Sequence, residues 1–171
     1  MPAKDERPAT KDFALAVGRL VLQCARLEHE LSYHTAGLIN ATDCEKGYRE
    51  LKGQPATAVL KKFEKLIEDR TPAGHNSLRE QLFCIASDAR HLFERRNALV
   101  HSIWVPRVGL PYEVLKWDGR RRGHKGQVET AVFEATEVAE LNSKAENLRE
   151  QLTLAMHYAF TNCSGLFETR P

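Results

Sequence analysis

What this sequence lacks narrows it first. No apolar run approaches the roughly 20 residues that cross a bilayer, and the opening Met1-Pro-Ala-Lys-Asp-Glu-Arg-Pro8 is polar, without the apolar stretch of a secretory signal. A soluble, cytoplasmic chain with no membrane partner is the expectation. The four cysteines, Cys24, Cys44, Cys84 and Cys163, lie far apart and form no Cys-x-x-Cys or Cys/His box. That excludes the spacing of a structural zinc site and points to separate, reduced thiols. An excess of one charge is also missing: 25 Lys and Arg stand against 23 Asp and Glu, a formal +2. Any affinity for nucleic acid must therefore come from local clustering. There is no Gly-rich phosphate loop, no Gly-x-Ser-x-Gly elbow and no His-Glu-x-x-His. No cofactor and no metal are expected. Asp88, His91 and Glu94 share a helix face but lack a further ligand nearby, so surface ion pairs are the reading for them.

What is present is helical periodicity. A chain of 171 residues holds one well-buried core, and residues 1–171 read as a single domain, with residues 1–9 as a flexible arm. Phe13, Val17, Leu20, Val21, Cys24, Leu27, Leu31 and Leu38 recur every three or four positions and predict a first helix over Lys11 to Ile39, capped by Thr10. Gly18 within it marks either a close helix crossing or a neutral position. Asn40 to Gln54 is polar and predicts a connection with at most a short helical turn. Pro55 opens a short second helix on Val59, Leu60, Phe63, Leu66 and Ile67, which stops before Thr71-Pro72-Ala73-Gly74. Its Lys61, Lys62 and Lys65 read as a solvated face, with an RNA-facing role as the alternative.

A third helix, capped by Asn76 or Ser77, carries Leu78, Leu82, Ile85, Ala89, Leu92, Phe93, Leu99 and Val100 inward. Arg96 falls four residues after Leu92, on or beside that inward stripe, where a guanidinium is costly unless an anion meets it. Glu28, at the border of the first helix's stripe, is the internal candidate for a supporting ion pair. After His101 the period changes from 3.6 to 2. Ile103 to Val105, Tyr112 to Trp117 and Gln127 to Phe133 are β-branched, aromatic or alternating, so residues 103–133 predict a small antiparallel β-meander. Between its last two strands lies the only dense basic cluster: Arg120, Arg121, Arg122, His124 and Lys125, among glycines. A solubilising turn and a clamp on RNA phosphates are the two readings of it. A final helix follows on Val138, Leu141, Ala145, Leu148, Leu152, Ala155 and Ala159, with Thr136 placed to cap. The fold class expected is mainly α: an antiparallel four-helix bundle with the β-meander inserted between the third and fourth helices.

The most informative short pattern is Arg96-Asn97-Ala98-Leu99-Val100-His101, at the end of the third helix. It resembles the Arg-x4–6-His signature of the HEPN superfamily (higher eukaryotes and prokaryotes nucleotide-binding domains), and more closely the Arg-Asn-x-x-x-His form of its RNA-cleaving members. Four amphipathic helices agree with the helical core of that superfamily, so the resemblance covers most of the chain as architecture and residues 96–101 as a motif. It implies a metal-independent endoribonuclease of the toxin or phage-defence type, with Arg96, Asn97 and His101 as catalytic residues; beside it, the positive charges of Arg95, Arg120, Arg121, Arg122 and Lys125 are read as RNA contacts. It also implies a composite site between two copies of the chain, so RNA, a homodimer partner and an antitoxin or regulatory protein are the expected partners. One subtype carries a modifiable tyrosine two residues after the histidine; here that position is Ile103. The alternative is a non-catalytic HEPN module that binds RNA, a nucleotide or another protein.

The residue types suit the chemistry. RNA cleaves itself when a base takes the 2′-hydroxyl proton, an acid protonates the departing 5′-oxygen and a cation steadies the phosphorane. Histidine serves the first two tasks near neutral pH, and arginine, with a permanent charge and a bidentate fork, serves the third. Asn97 and His101, four apart, share a helix face. Arg96 and His101, five apart, stand about 140° apart on an ideal helix. Two arrangements overcome that angle: a helix ending at Val100, or a second copy bringing its own motif alongside.

Overall fold

The computed structural model describes residues 7–101, 103–105, 112–116 and 129–167. They form a mainly helical chain: α1 (Arg7–Ile39), α2 (Cys44–Leu51), α3 (Ala56–Arg70), α4 (Asn76–Val100) and α5 (Ala135–Asn162), closed by a 3-10 turn, Ser164–Phe167. Between α4 and α5 lie three short strands, β1 (Ile103–Val105), β2 (Tyr112–Lys116) and β3 (Glu129–Phe133), paired antiparallel in the order β1-β2-β3. Trp104 stands opposite Val114, and Val114 opposite Ala131.

The apolar stripes build one core. Phe13, Val17, Leu20, Cys24, Leu27 and Leu31 of α1 are buried, at the three- and four-residue steps that return a side chain to one face. They meet Leu60, Phe63 and Ile67 of α3, Leu82, Leu92 and Leu99 of α4, and Val138, Leu148 and Leu152 of α5 in a single cluster. Val21 and Val100, assigned inward from the sequence, face out. Each adjoins a residue that takes the inward place, Leu20 and Leu99.

Three helix starts differ from the sequence reading. Helix α1 starts at Arg7, so Thr10 lies inside it and the expected arm loses its last three residues. Pro8 is tolerated there because the amide it lacks would have had no partner in a first turn. Helix α4 starts at Asn76, with His75 at the cap position and no side-chain cap bond. The His75 ring is engaged elsewhere, its Nδ1 3.0 Å from Cys163 Sγ at the end of α5. Helix α5 starts at Ala135, so Thr136 lies within it and its hydroxyl donates to Glu134 Oε2 at 3.3 Å.

The largest correction is α2, eight residues where at most a turn was expected. Its sequence is too polar to show a stripe, with only Gly47 and Leu51 buried. What starts it is local: the Asp43 side chain accepts from the Lys46 amide at 3.0 Å, and Asn40 Oδ1 accepts from the amides of Thr42 and Asp43. Glycine at position 47 lets α2 lie on α1, since a Cβ there would stand 2.3 Å from the Ala36 carbonyl oxygen.

That extra helix reverses the chain once more than four helices would. Its consequence is that α1 and α5 run the same way, against the alternating directions expected. Asn142 donates to the Ala16 carbonyl at 3.1 Å, Gln23 donates to Glu146, and further along Tyr33 and His34 share a cavity with Met156 and His157. Helices α4 and α5 do oppose each other, tied by Asp88 to Lys144 and by Arg95 to Glu137.

Candidate functional site at the end of α4

Helix α4 carries Arg95, Arg96 and Asn97 in its last turns and ends at Val100. His101 is the first residue past the helical run, at φ −99° and ψ 11°, and its amide donates to the Asn97 carbonyl at 3.0 Å. The helix ends at Val100, as one of the two arrangements requires, while this bond keeps the His101 amide on the helical path. His101 and Asn97 are both exposed.

Arg96 is placed differently. Its side chain is 21 % exposed and forms an ion pair with Glu28 of α1. The guanidinium lies 5.9 Å from the centre of the Phe93 ring, and its Nε is buried without a hydrogen bond. Cys24, one helical turn before Glu28, adjoins the same group. Burial pushes its thiol up to about 11 from an ordinary 9.0, while the Arg96 charge and its hydrogen bond to the sulfur pull the other way. A buried thiol held neutral adds no charge to the Arg96–Glu28 pair. The sequence identified Glu28 because it borders an apolar stripe; nothing in the spacing marked Cys24 as a neighbour of Arg96.

Arg95, expected among the RNA contacts, meets partners within the chain. It pairs with Glu137 in the first turn of α5 and stacks over the buried Phe133 ring, 4.5 Å from its centre. This joins α4 to the start of α5 and leaves the arginine 45 % exposed. The guanidinium is a fastening between two helices as well as a surface charge. Arg120, Arg121, Arg122 and Lys125 lie outside the described residues.

The remaining candidates fall into ion pairs. His91 Nδ1 stands 3.6 Å from Glu94, and Asp88 accepts from Lys144 at 2.7 Å. Among the described residues no three His, Cys, Asp or Glu side chains converge as metal ligands, and no helix is long and apolar enough to cross a membrane. The four cysteines are free thiols. An apolar cavity of about 310 Å³ opens between the end of α1 and α5, bordered by Tyr33, His34, Met156, Phe160 and Phe167. None of Arg96, Asn97 and His101 borders it.

No family model, no curated protein and no solved structure matches the chain.

Proposed function

We propose that the chain is a metal-independent endoribonuclease of the HEPN type, acting in a toxin or phage-defence setting in the cytoplasm. The observation that supports this best is the placement of Arg96-Asn97-x-x-x-His101 at the end of a 25-residue helix that stops one residue before the histidine. In this reading the helices form a HEPN-like bundle and residues 103–133 are its meander insertion. Two copies of the chain combine their motifs in one composite site. One His101 takes the proton from the RNA 2′-hydroxyl, whose oxygen attacks the adjacent phosphorus. The other protonates the 5′-oxygen as its bond to phosphorus breaks, leaving a 2′,3′-cyclic phosphate and a free 5′-hydroxyl. Arg96 balances the charge that grows on the phosphorane oxygens, and Asn97 orients the imidazole or donates to the phosphate. Arg120, Arg121, Arg122 and Lys125 hold the strand by its backbone, and an antitoxin or regulatory protein restrains the enzyme.

A second reading has a specific observation behind it. Arg96 is already matched by Glu28, and Arg95 by Glu137, which suits a non-catalytic HEPN module whose arginines serve the fold. Incubation with unstructured single-stranded RNA in the presence of a chelator decides between them. The nuclease reading expects cleavage by the wild type and a loss of about 10²–10⁴ in rate in His101→Ala, with the melting curve unchanged. Binding without cleavage in both proteins sinks it and leaves the module.

A further inference from the structure

Basic side chains from two helices border one groove on a different side of the molecule. The groove, about 360 Å³, is walled by Leu22, Ala25, Arg26, His29 and Glu30 of α1 and by Arg149 of α5. Positions 22, 25, 26 and 29 fall on one helical face. Arg26 and Glu28 are two residues apart, about 200° round an ideal helix, so this face is separate from the one that meets Arg96.

Among the described residues no carboxylate answers the two guanidinium groups that border the groove. Arg90, Arg95 and Arg96 each meet a glutamate. The guanidinium groups of Arg26 and Arg149 have no hydrogen bond or ion pair to any described residue, and Arg149 Nε is buried with nothing to donate to. A guanidinium does not shed its proton, so a buried Nε–H without an acceptor stays a cost to the folded chain. The nearby carboxylates are directed elsewhere. Glu146, one turn before Arg149, accepts from Gln23, and Glu30 stands 3.8 Å from His34 Nε2. Two arginines against one glutamate leave the groove wall with a formal +1, beside a Leu22 that is 62 % exposed.

We propose that this groove is a phosphate-binding site. The terminal nitrogens of Arg26 and Arg149 clamp one phosphate group from the two walls of the groove. His29 adds a further donor, and Leu22 with Ala25 forms the apolar shelf for the attached sugar or base. Anionic oxygens suit it because they accept bidentately from guanidinium groups without giving up solvent-facing lone pairs. A free mononucleotide and a single-stranded RNA carry the same group. The proposal does not depend on cleavage at His101, and its readout is binding, so it stands or falls separately from the nuclease reading.

The test is titration of the full chain, at low salt, with inorganic phosphate, 5′-AMP and a short single-stranded RNA. At least one of these is expected to bind, and Arg26→Gln and Arg149→Gln each to weaken it about tenfold or more. Arg149→Lys keeps the charge but loses the fork, and is expected to weaken binding less than Arg149→Gln; it also serves if the glutamine variant folds poorly. RNA binding tighter than 5′-AMP, with a salt slope that drops by about 0.7 per lost arginine, identifies a strand as the ligand; equal affinity identifies the nucleotide. Failure of all three probes to bind at millimolar concentration, or binding unchanged in the Arg26→Gln/Arg149→Gln double variant, overturns the proposal.

Discussion

Arg96 of α4 and Glu28 of α1, 68 residues apart in the chain, form an ion pair across the helix interface, beside the buried thiol of Cys24. The arginine sits where an apolar residue would continue the α4 stripe, and the glutamate is what makes that position tolerable. A partly buried guanidinium that is already paired can still turn an unbonded edge toward a phosphate, so structural and catalytic roles for Arg96 are separable by measurement.

Removing either partner should lower stability, and the double-mutant cycle of Glu28→Gln with Arg96→Met should show a coupling of about 1 kcal/mol, because both side chains retain contact with water. Urea denaturation measures it. In the cleavage assay Arg96→Ala is expected to lose most activity while remaining folded. If it unfolds instead, and His101→Ala stays fully active, the motif is a structural one.

Cys24 should make stability depend on alkaline pH. Its folded thiol ionises near 11 and an unfolded one near 9.0. Between those values the unfolded chain has released a proton that the folded chain keeps, so stability is full below pH 9 and falls as pH rises toward 11. The contribution is on the order of 2–3 kcal/mol at its limit. Denaturation midpoints at pH 8.5 and 10.5 should therefore separate less in Cys24→Ala than in the wild type; equal separations would show that this thiol does not carry the effect. With a thiol reagent at pH 8, exposed Cys84 should react before buried Cys24 and Cys163.

Two glycines on helices should respond in opposite directions to the same change. A Cβ at Gly47 meets the Ala36 backbone, whereas one at Gly18 meets nothing within 4 Å. Gly47→Ala is expected to cost about 1–3 kcal/mol by forcing α2 off α1. Gly18→Ala should gain about 0.5–1 kcal/mol by stiffening an exposed helical position. Thermal melts of the two variants give the signs directly, and a loss at Gly18 would mean that its face is covered in solution.

Helix positions and inward faces were legible in the sequence wherever apolar residues recur at helical spacing, because that period is set by the local backbone and by burial of one face. This is why Phe13 to Leu31, Val59 to Ile67 and Val138 to Ala159 could be assigned, and why Arg96 stood out as a charge in an apolar row. The Glu28 partner was legible for the same reason, as the one acid at the edge of the matching stripe. Helix α2 was not, since two buried residues make no period and its formation rests on the Asp43 cap and on Gly47 lying against Ala36. Nor were the directions of α1 and α5, the fastening of Arg95 by Glu137 and Phe133, or the placing of Arg26 and Arg149 on one groove. Those depend on which helices dock side by side, and docking brings together residues more than a hundred positions apart, as Gln23 and Glu146 are, whose proximity no local spacing encodes.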